Sequence, residues 1–153
     1  MIAIGAQVPA FELKDQNGMA MASSELRGRL ALLSFHPLAW TGVCQRQMEA
    51  LEMTASVFDD LNTLALGISV DSVPCKKAWA ESINVKTTPL LADFWPHGGL
   101  AQSLDIFRDA DGISERANVI VDKHGVVQWI KVYPIGDLPD LEELLHVLRN
   151  LNS

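Results

Sequence analysis

The sequence is short of cysteine. Two of its 153 residues are Cys, Cys44 and Cys75, too few to brace a domain of this size with disulfides, so a hydrophobic core must hold it. Basic residues are also scarce: 12 Lys and Arg against 19 Asp and Glu leave a net charge of −7. That balance argues against nucleic acid or an anionic membrane surface as partner. No apolar run reaches membrane-spanning length. The start, Met1 to Ala6, has no basic region; no signal peptide is expected, and a cytoplasmic setting with reduced thiols follows. Cys44, Cys75, His36 and His97 lack the spacing of metal ligands, so neither a metal nor another cofactor is expected. Repeats, low-complexity tracts and linkers are absent too, which leaves one domain over residues 1–153.

What is present is a globular composition, 48% hydrophobic and 20% charged, and one stretch where chemistry concentrates. Leu30 to Phe35 reads as a buried strand. Cys44, Met48, Leu51, Ala55, Phe58 and Leu61 then recur at alternating steps of four and three, the stripe of an amphipathic helix. Between them lies Pro37-Leu38-Ala39-Trp40-Thr41-Gly42-Val43-Cys44, so Cys44 falls in or beside the first helical turn. Unpaired N–H groups and the positive dipole end favour an anion there, and a thiol so placed gives up its proton more readily. The plainer alternative, Cys44 as a small core hydrophobe, is equally compatible with position alone.

Asn17-Gly18 between Phe11–Lys14 and Met19–Met21 predicts a two-residue hairpin. A short helical turn over residues 23–26 stops at Gly28. Leu64 to Val70 is a second buried strand; Pro74 then opens a helix whose apolar face is Ala78, Trp79 and Ile83. An extended Thr88–Asp93 and a short helix from Leu100 to Phe107 follow. Asn118–Val121 and Val126–Ile130 flank a turn at Asp122–Gly125, and Leu138 to Leu151 reads as the last helix. The expectation is an α/β fold with a mixed central sheet, helices on both faces and an N-terminal β-hairpin.

Pro37-x-x-x-Thr41-x-x-Cys44 resembles the peroxidatic motif of the peroxiredoxins. The opening Gly5-x-x-Val8-Pro9-Ala10-Phe11, the strand end Ser69-Val70-Asp71-Ser72 and Arg116-x-x-Val119-Ile120-Val121-Asp122 are similar to that family in the same order. Asp93-Phe94-Trp95-Pro96-His97-Gly98 is nearer one branch, the alkyl hydroperoxide reductase E type. His36 stands where the family usually has an aromatic residue, and Ala10 where an acid is common. The resemblance implies a thioredoxin-like fold and reduction of hydrogen peroxide, organic hydroperoxides or peroxynitrite. It implies that Cys44 is the nucleophile, that Thr41 hydrogen-bonds the sulfur or the peroxide, that Pro37 shields the pocket and that Arg116 faces the thiolate. His36, Val43 and Trp95 are candidates for the pocket. The sulfenic acid formed on Cys44 would be re-reduced by a thiol: Cys75 as resolving partner, or an external reductant such as thioredoxin, a glutaredoxin-like protein or a low-molecular-weight thiol. A homodimer is implied as well, and the chain's end just past Leu151 disfavours resolution by a C-terminal arm.

Ionisation alone cannot make a thiol a fast peroxidase. Lowering a thiol pKa from about 8.5 to roughly 6 yields ~30-fold more thiolate at neutral pH. A Brønsted slope of about 0.4–0.5 removes roughly tenfold of that, leaving about threefold. Most of the acceleration must come from stabilising the charge on the departing oxygen. Arg116, the Thr41 hydroxyl and the N–H groups of Val43 and Cys44 are the natural donors. Two other readings use the same cysteine. A thioredoxin-type oxidoreductase needs C-x-x-C, and Gln47 stands three residues after Cys44. A redox sensor or holdase shares the first oxidation step and differs only in turnover.

Overall fold

The computed structural model describes residues 1–152. Its strands are β1 (Glu12–Lys14), β2 (Ala20–Ala22), β3 (Leu30–Phe35), β4 (Thr63–Ser69), β5 (Leu90–Ala92), β6 (Phe107–Arg108), β7 (Ile113–Ser114), β8 (Arg116–Val121) and β9 (Val127–Tyr133). Seven form one sheet in the order β2-β1-β5-β4-β3-β8-β9, and β6 pairs with β7 apart from it. Strand β3 is central, parallel to β4 and antiparallel to β8. All six of its residues are buried, which is why it reads as an unbroken apolar run rather than an alternating one.

Helices cover both faces of the sheet. Side chains of α1 (Gly42–Met53), α2 (Ala55–Asp60), α3 (Val73–Ser82) and α5 (Leu141–Asn152) pack with Leu30, Leu32 and Ile120. The short α4 (Gly99–Ser103) and the 3-10 turn Ser23–Leu26 pack with Ala31, Leu33, Phe35, Ala117 and Val119 on the other. Alternation along a strand is strict. The even positions Ser34 on β3 and Arg116 and Asn118 on β8 therefore share the face of Leu30, Leu32 and Ile120, and look toward α1. Gly67 lets α1 settle there, because a Cβ at that position would overlap the Met48 sulfur.

Four expectations need correction. The stripe from Cys44 to Leu61 is two helices: Thr54 breaks it, with φ −100° and ψ 5° and its hydroxyl donating to the Ala50 carbonyl at 2.7 Å. The first hairpin has a wider turn. Lys14 pairs with Ala20, and the Asp15 carboxylate accepts the N–H groups of Asn17 (2.8 Å) and Met19 (3.0 Å), so an Asp-centred turn replaces the two-residue one. The helix expected from Leu100 to Phe107 ends at Ser103, and Phe107 is already strand. On α3, Ala78 is exposed and Lys76 is buried in its stead.

The end of α1 is pinned by a carboxylate. Glu52 accepts the N–H groups of Lys86 (2.9 Å), Thr87 (2.9 Å) and Thr88 (2.8 Å), fixing the approach to β5. Partial burial raises its pKa, but the N–H donors of Thr87, Lys86 and Thr88 outweigh that and draw it from 4.5 to about 2. The stability linked to this group is present above pH 4.5 and is lost as pH falls towards 2. Glu52→Gln should therefore lower the unfolding free energy by about 1 kcal/mol at neutral pH. In denaturant melts that gap should close on acidification through the same window; a gap that ignores pH would contradict this role.

Candidate active site

Cys44 is the third residue of α1, behind Thr41 at the N-cap, and is fully buried at 0% exposure. The first bond of the helix runs from Gln45 N–H to the Thr41 carbonyl at 2.9 Å. The N–H groups of Gly42, Val43 and Cys44 precede it and have no helical acceptor. Above the sulfur, Arg116 Nη1 lies 3.4 Å from Cys44 Sγ. The guanidinium is fixed from two other sides: Nε donates to the Ile135 carbonyl at 2.9 Å and Nη1 to Gln47 Oε1 at 2.8 Å. Gln47 is held in turn, its Nε2 donating to Ser34 Oγ at 2.8 Å and to the Phe35 carbonyl at 3.1 Å.

Arg116 is 3% exposed, and among the described residues no carboxylate forms an ion pair with it. Its oxygen acceptors are neutral. Its charge therefore faces the Cys44 sulfur without a carboxylate to neutralise it.

The loop between β3 and α1 leads into the Cys44 helix, and its Ala39 lies in the same buried cluster as Cys44. Pro37 is buried in the same loop. The Ala39 N–H donates to Asp71 Oδ2 at 2.8 Å, and the Thr41 hydroxyl donates to the Leu38 carbonyl at 2.7 Å. Trp40, at φ 66°, lies in the left-handed region that bulky residues avoid. Thr41 thus makes no side-chain cap to the helix, and its oxygen keeps lone pairs free while its hydrogen is engaged.

Under the loop lies a second polar cluster. His36 is fully buried; its Nε2 is 3.1 Å from Lys76 Nζ and its ring packs tilted against Trp79, 5.3 Å between centroids. His36 therefore faces the core and does not line the mouth of the site. Burial, then the charges of Lys76 and Arg116, hold its pKa well below 6.5, so the ring is neutral. Its Nδ1 has no hydrogen-bond partner among the described residues. Lys76 is wholly buried, and this draws its pKa from 10.5 to about 7 against the opposing pull of Asp71, Cys75, Cys44 and Asp93. Cys75 is half-buried in the first turn of α3, its thiol donating to Asp71 Oδ1 at 3.7 Å. Burial and the Asp71 charge push its pKa up, with the Trp40 side chain pulling the other way.

Of the residues singled out from sequence, the structure brings Arg116 to the Cys44 sulfur, with Thr41 at the N-cap of the same helix and Pro37 buried in the loop before it. Val43 is half-buried in the first turn of α1, and Trp95 stands 81% exposed on the loop after β5. The sequence alone does not single out Gln47 or Lys76, though each leaves a trace. Gln47 follows Cys44 by three residues and so shares its helix face. Lys76 falls in one stripe with Trp79, Ala80 and Ile83, a lysine in an apolar position.

The family model of the AhpC/TSA family matches residues 4–130. Alkyl hydroperoxide reductase E of Mycobacterium tuberculosis is 37% identical over 141 residues, covering 92% of this chain and 92% of that protein. A peroxiredoxin of Pyrococcus furiosus is 30% identical, covering 99% of this chain and 72% of that protein. The crystal structure of Enterococcus faecalis AhpC matches with a TM-score of 0.91 at 26% identity, over 99% of this chain and 93% of that one. The expected thioredoxin-like arrangement is the one these strands and helices adopt.

Gln47→Met removes the acceptor that fixes Arg116 and the donor to Ser34. Oxidation of Cys44 by hydrogen peroxide should slow by about tenfold. Denaturant melts should show a loss of about 1–3 kcal/mol from the buried groups left unpaired. Native kinetics in a destabilised variant would mean that Gln47 only supports the fold.

Proposed function

This chain belongs to the AhpC/TSA family and is a peroxiredoxin, a thiol-dependent peroxidase, and we propose that Cys44 carries the reaction. As thiolate, Cys44 attacks one oxygen of hydrogen peroxide, an organic hydroperoxide or peroxynitrite. An S–O bond forms as the O–O bond breaks, the sulfur is oxidised by two electrons to a sulfenic acid, and the departing oxygen leaves as an anion that takes up a proton. The observation that carries this reading is the 3.4 Å contact between Arg116 Nη1 and Cys44 Sγ, in a site where the guanidinium has no carboxylate partner among the described residues. Charge that begins on the sulfur ends on the departing oxygen, and Arg116 stands beside both positions. The Thr41 oxygen accepts a hydrogen bond from the incoming peroxide, the free N–H groups of Val43 and Cys44 add to the anionic pole, and Pro37 keeps water off the sulfur.

Re-reduction uses an external thiol, of the thioredoxin, glutaredoxin-like or low-molecular-weight kind. It condenses with the sulfenic acid, releasing water, and a second thiol frees Cys44. Cys75 stays reduced: its raised pKa and its bond to Asp71 support a protonated, weakly nucleophilic thiol. Residues 1–153 work as one domain. Two cysteines in a disulfide-poor chain suit a reducing, cytoplasmic setting, and among the described residues no helix is long and apolar enough to cross a membrane.

Stopped-flow oxidation by several peroxides tests the assignment. Cys44→Ser should abolish turnover with a thiol reductant and Cys75→Ser should leave it intact. One stoichiometric oxidation without turnover would favour a sensor, and a Cys44–Cys75 disulfide in intact-mass spectra after one equivalent of peroxide would make Cys75 the resolving residue. The active form is a homodimer, formed through the exposed Leu38, Trp40, Phe94 and Trp95 on loops that follow β3 and β5. Sedimentation velocity should find a dimer that Trp40→Asp combined with Trp95→Glu shifts to monomer; a native chain that sediments as monomer would exclude it.

A further inference from the structure

The peroxidase chemistry leaves one buried charged side chain unused. Lys76 lies in the apolar stripe of α3 and is entirely covered. Its Nζ reaches His36 Nε2 at 3.1 Å and the Ser69 hydroxyl. Ser69 passes its own hydrogen to Asp71 Oδ2 at 2.6 Å, and that oxygen also accepts the Ala39 N–H at 2.8 Å. His36 and Ala39 bracket Pro37 and Leu38, so both ends of the segment that leads into the Cys44 helix trace back to a single amine.

We propose that Lys76 is a positioning residue for peroxide reduction: it holds the His36–Ala39 segment at both ends, directly through His36 and through Ser69 and Asp71 to Ala39, and so fixes the loop that leads into Cys44. This rests on the reading of Cys44 as the nucleophile. Backbone strain in the same loop supports it. Trp40 keeps φ 66°, and such a conformation persists only where the surroundings over-determine it. The burial of the amine supports it too. A buried lysine is costly, and this one has no carboxylate in direct contact among the described residues, so it is not an ion pair kept for its own attraction. The contacts also outlast a change of charge. As ammonium, Lys76 donates to His36 Nε2; as neutral amine, it accepts from Nε2–H, and in either state it donates to Ser69.

Because Cys44 is at 0% exposure, this loop sets both who reaches the sulfur and where a peroxide sits when it arrives. Loosening it should move those two properties in opposite directions. In a Cys75→Ser background, the test variants are Lys76→Met with His36→Phe, which removes both sides of the amine–imidazole contact, and Ser69→Ala, which cuts one arm only. Two rates of Cys44 are followed at each pH: oxidation by hydrogen peroxide and alkylation by iodoacetamide. The double substitution should slow oxidation by about tenfold and quicken alkylation by about threefold, with Ser69→Ala showing the same divergence to a smaller degree. A change in thiol ionisation moves both rates together, so parallel shifts, or native rates in a folded double variant, overturn the proposal. Peroxide consumption that survives Cys44→Ser would instead overturn the nucleophile assignment, and this role with it.

Discussion

A guanidinium taken out of water needs a counter-charge, and in this protein the neighbours of Arg116 supply almost none. Dipoles of Ile135 and Gln47 face it at 2.9 and 2.8 Å, but no carboxylate does among the described residues. Desolvating such an ion costs several kcal/mol. The fold accepts that cost where an anion would recover it, at a sulfur 3.4 Å away. The amide of Gln47 matters for what it lacks as much as for the bond it makes. A carboxylate in the same place would hold Arg116 equally well and would neutralise it. An amide orients the guanidinium and leaves its charge for the sulfur and, in the mechanism proposed, for the oxygen that departs.

The sheet makes this juxtaposition obligatory. Phe35 pairs with Ala117 and Ser34 with Asn118, which sets Arg116 level with the end of β3, where the chain turns into the loop before Cys44. Alternation then decides the face. Arg116, Asn118 and Ile120 look toward α1, while Ala117, Val119 and Val121 pack into the opposite layer. A slip of one residue between β3 and β8 would bury Arg116 among aliphatic side chains and put an alanine opposite the thiol. Two cores therefore enforce one charge contact, and the stability of the sheet and the geometry of the site are the same register.

What the sequence makes legible follows from range. Strand β3, with bounds Leu30–Phe35, and the start of α1 beside Cys44 are local patterns and are met as expected. The motif with Thr41 and Cys44 is local as well, and Arg116 becomes visible only through resemblance. The break at Thr54 is hidden because a hydroxyl bond to the Ala50 carbonyl leaves the apolar stripe intact. The turn at Asn17-Gly18 is wider than expected because the Asp15 carboxylate outcompetes the two-residue geometry. His36 reads as a pocket residue because it precedes Pro37, yet strand alternation carries it inward to a lysine forty residues away. That pairing has one readable trace, a basic residue in register with Trp79, Ala80 and Ile83, and a stripe broken by charge is more informative than an unbroken one.

Two polar clusters meet at this loop and obey opposite rules. Around Arg116 the groups are arranged so that one charge stays uncompensated until chemistry moves it. Around Lys76 they are arranged so that charge hardly matters, since a neutral His36 can exchange donor and acceptor roles with the amine and keep the contact. On the roles proposed, the first cluster stabilises a reaction and the second holds a shape. A strained loop before a covered sulfur needs both. If the loop were fixed by charge alone, each change in the state of Cys44 would disturb it, because thiolate and sulfenic acid differ by a full charge within the field that reaches Lys76. A tie that survives protonation and deprotonation separates the geometry of the site from its redox state, so the nucleophile can cycle beside a loop that does not have to be rebuilt at each turnover.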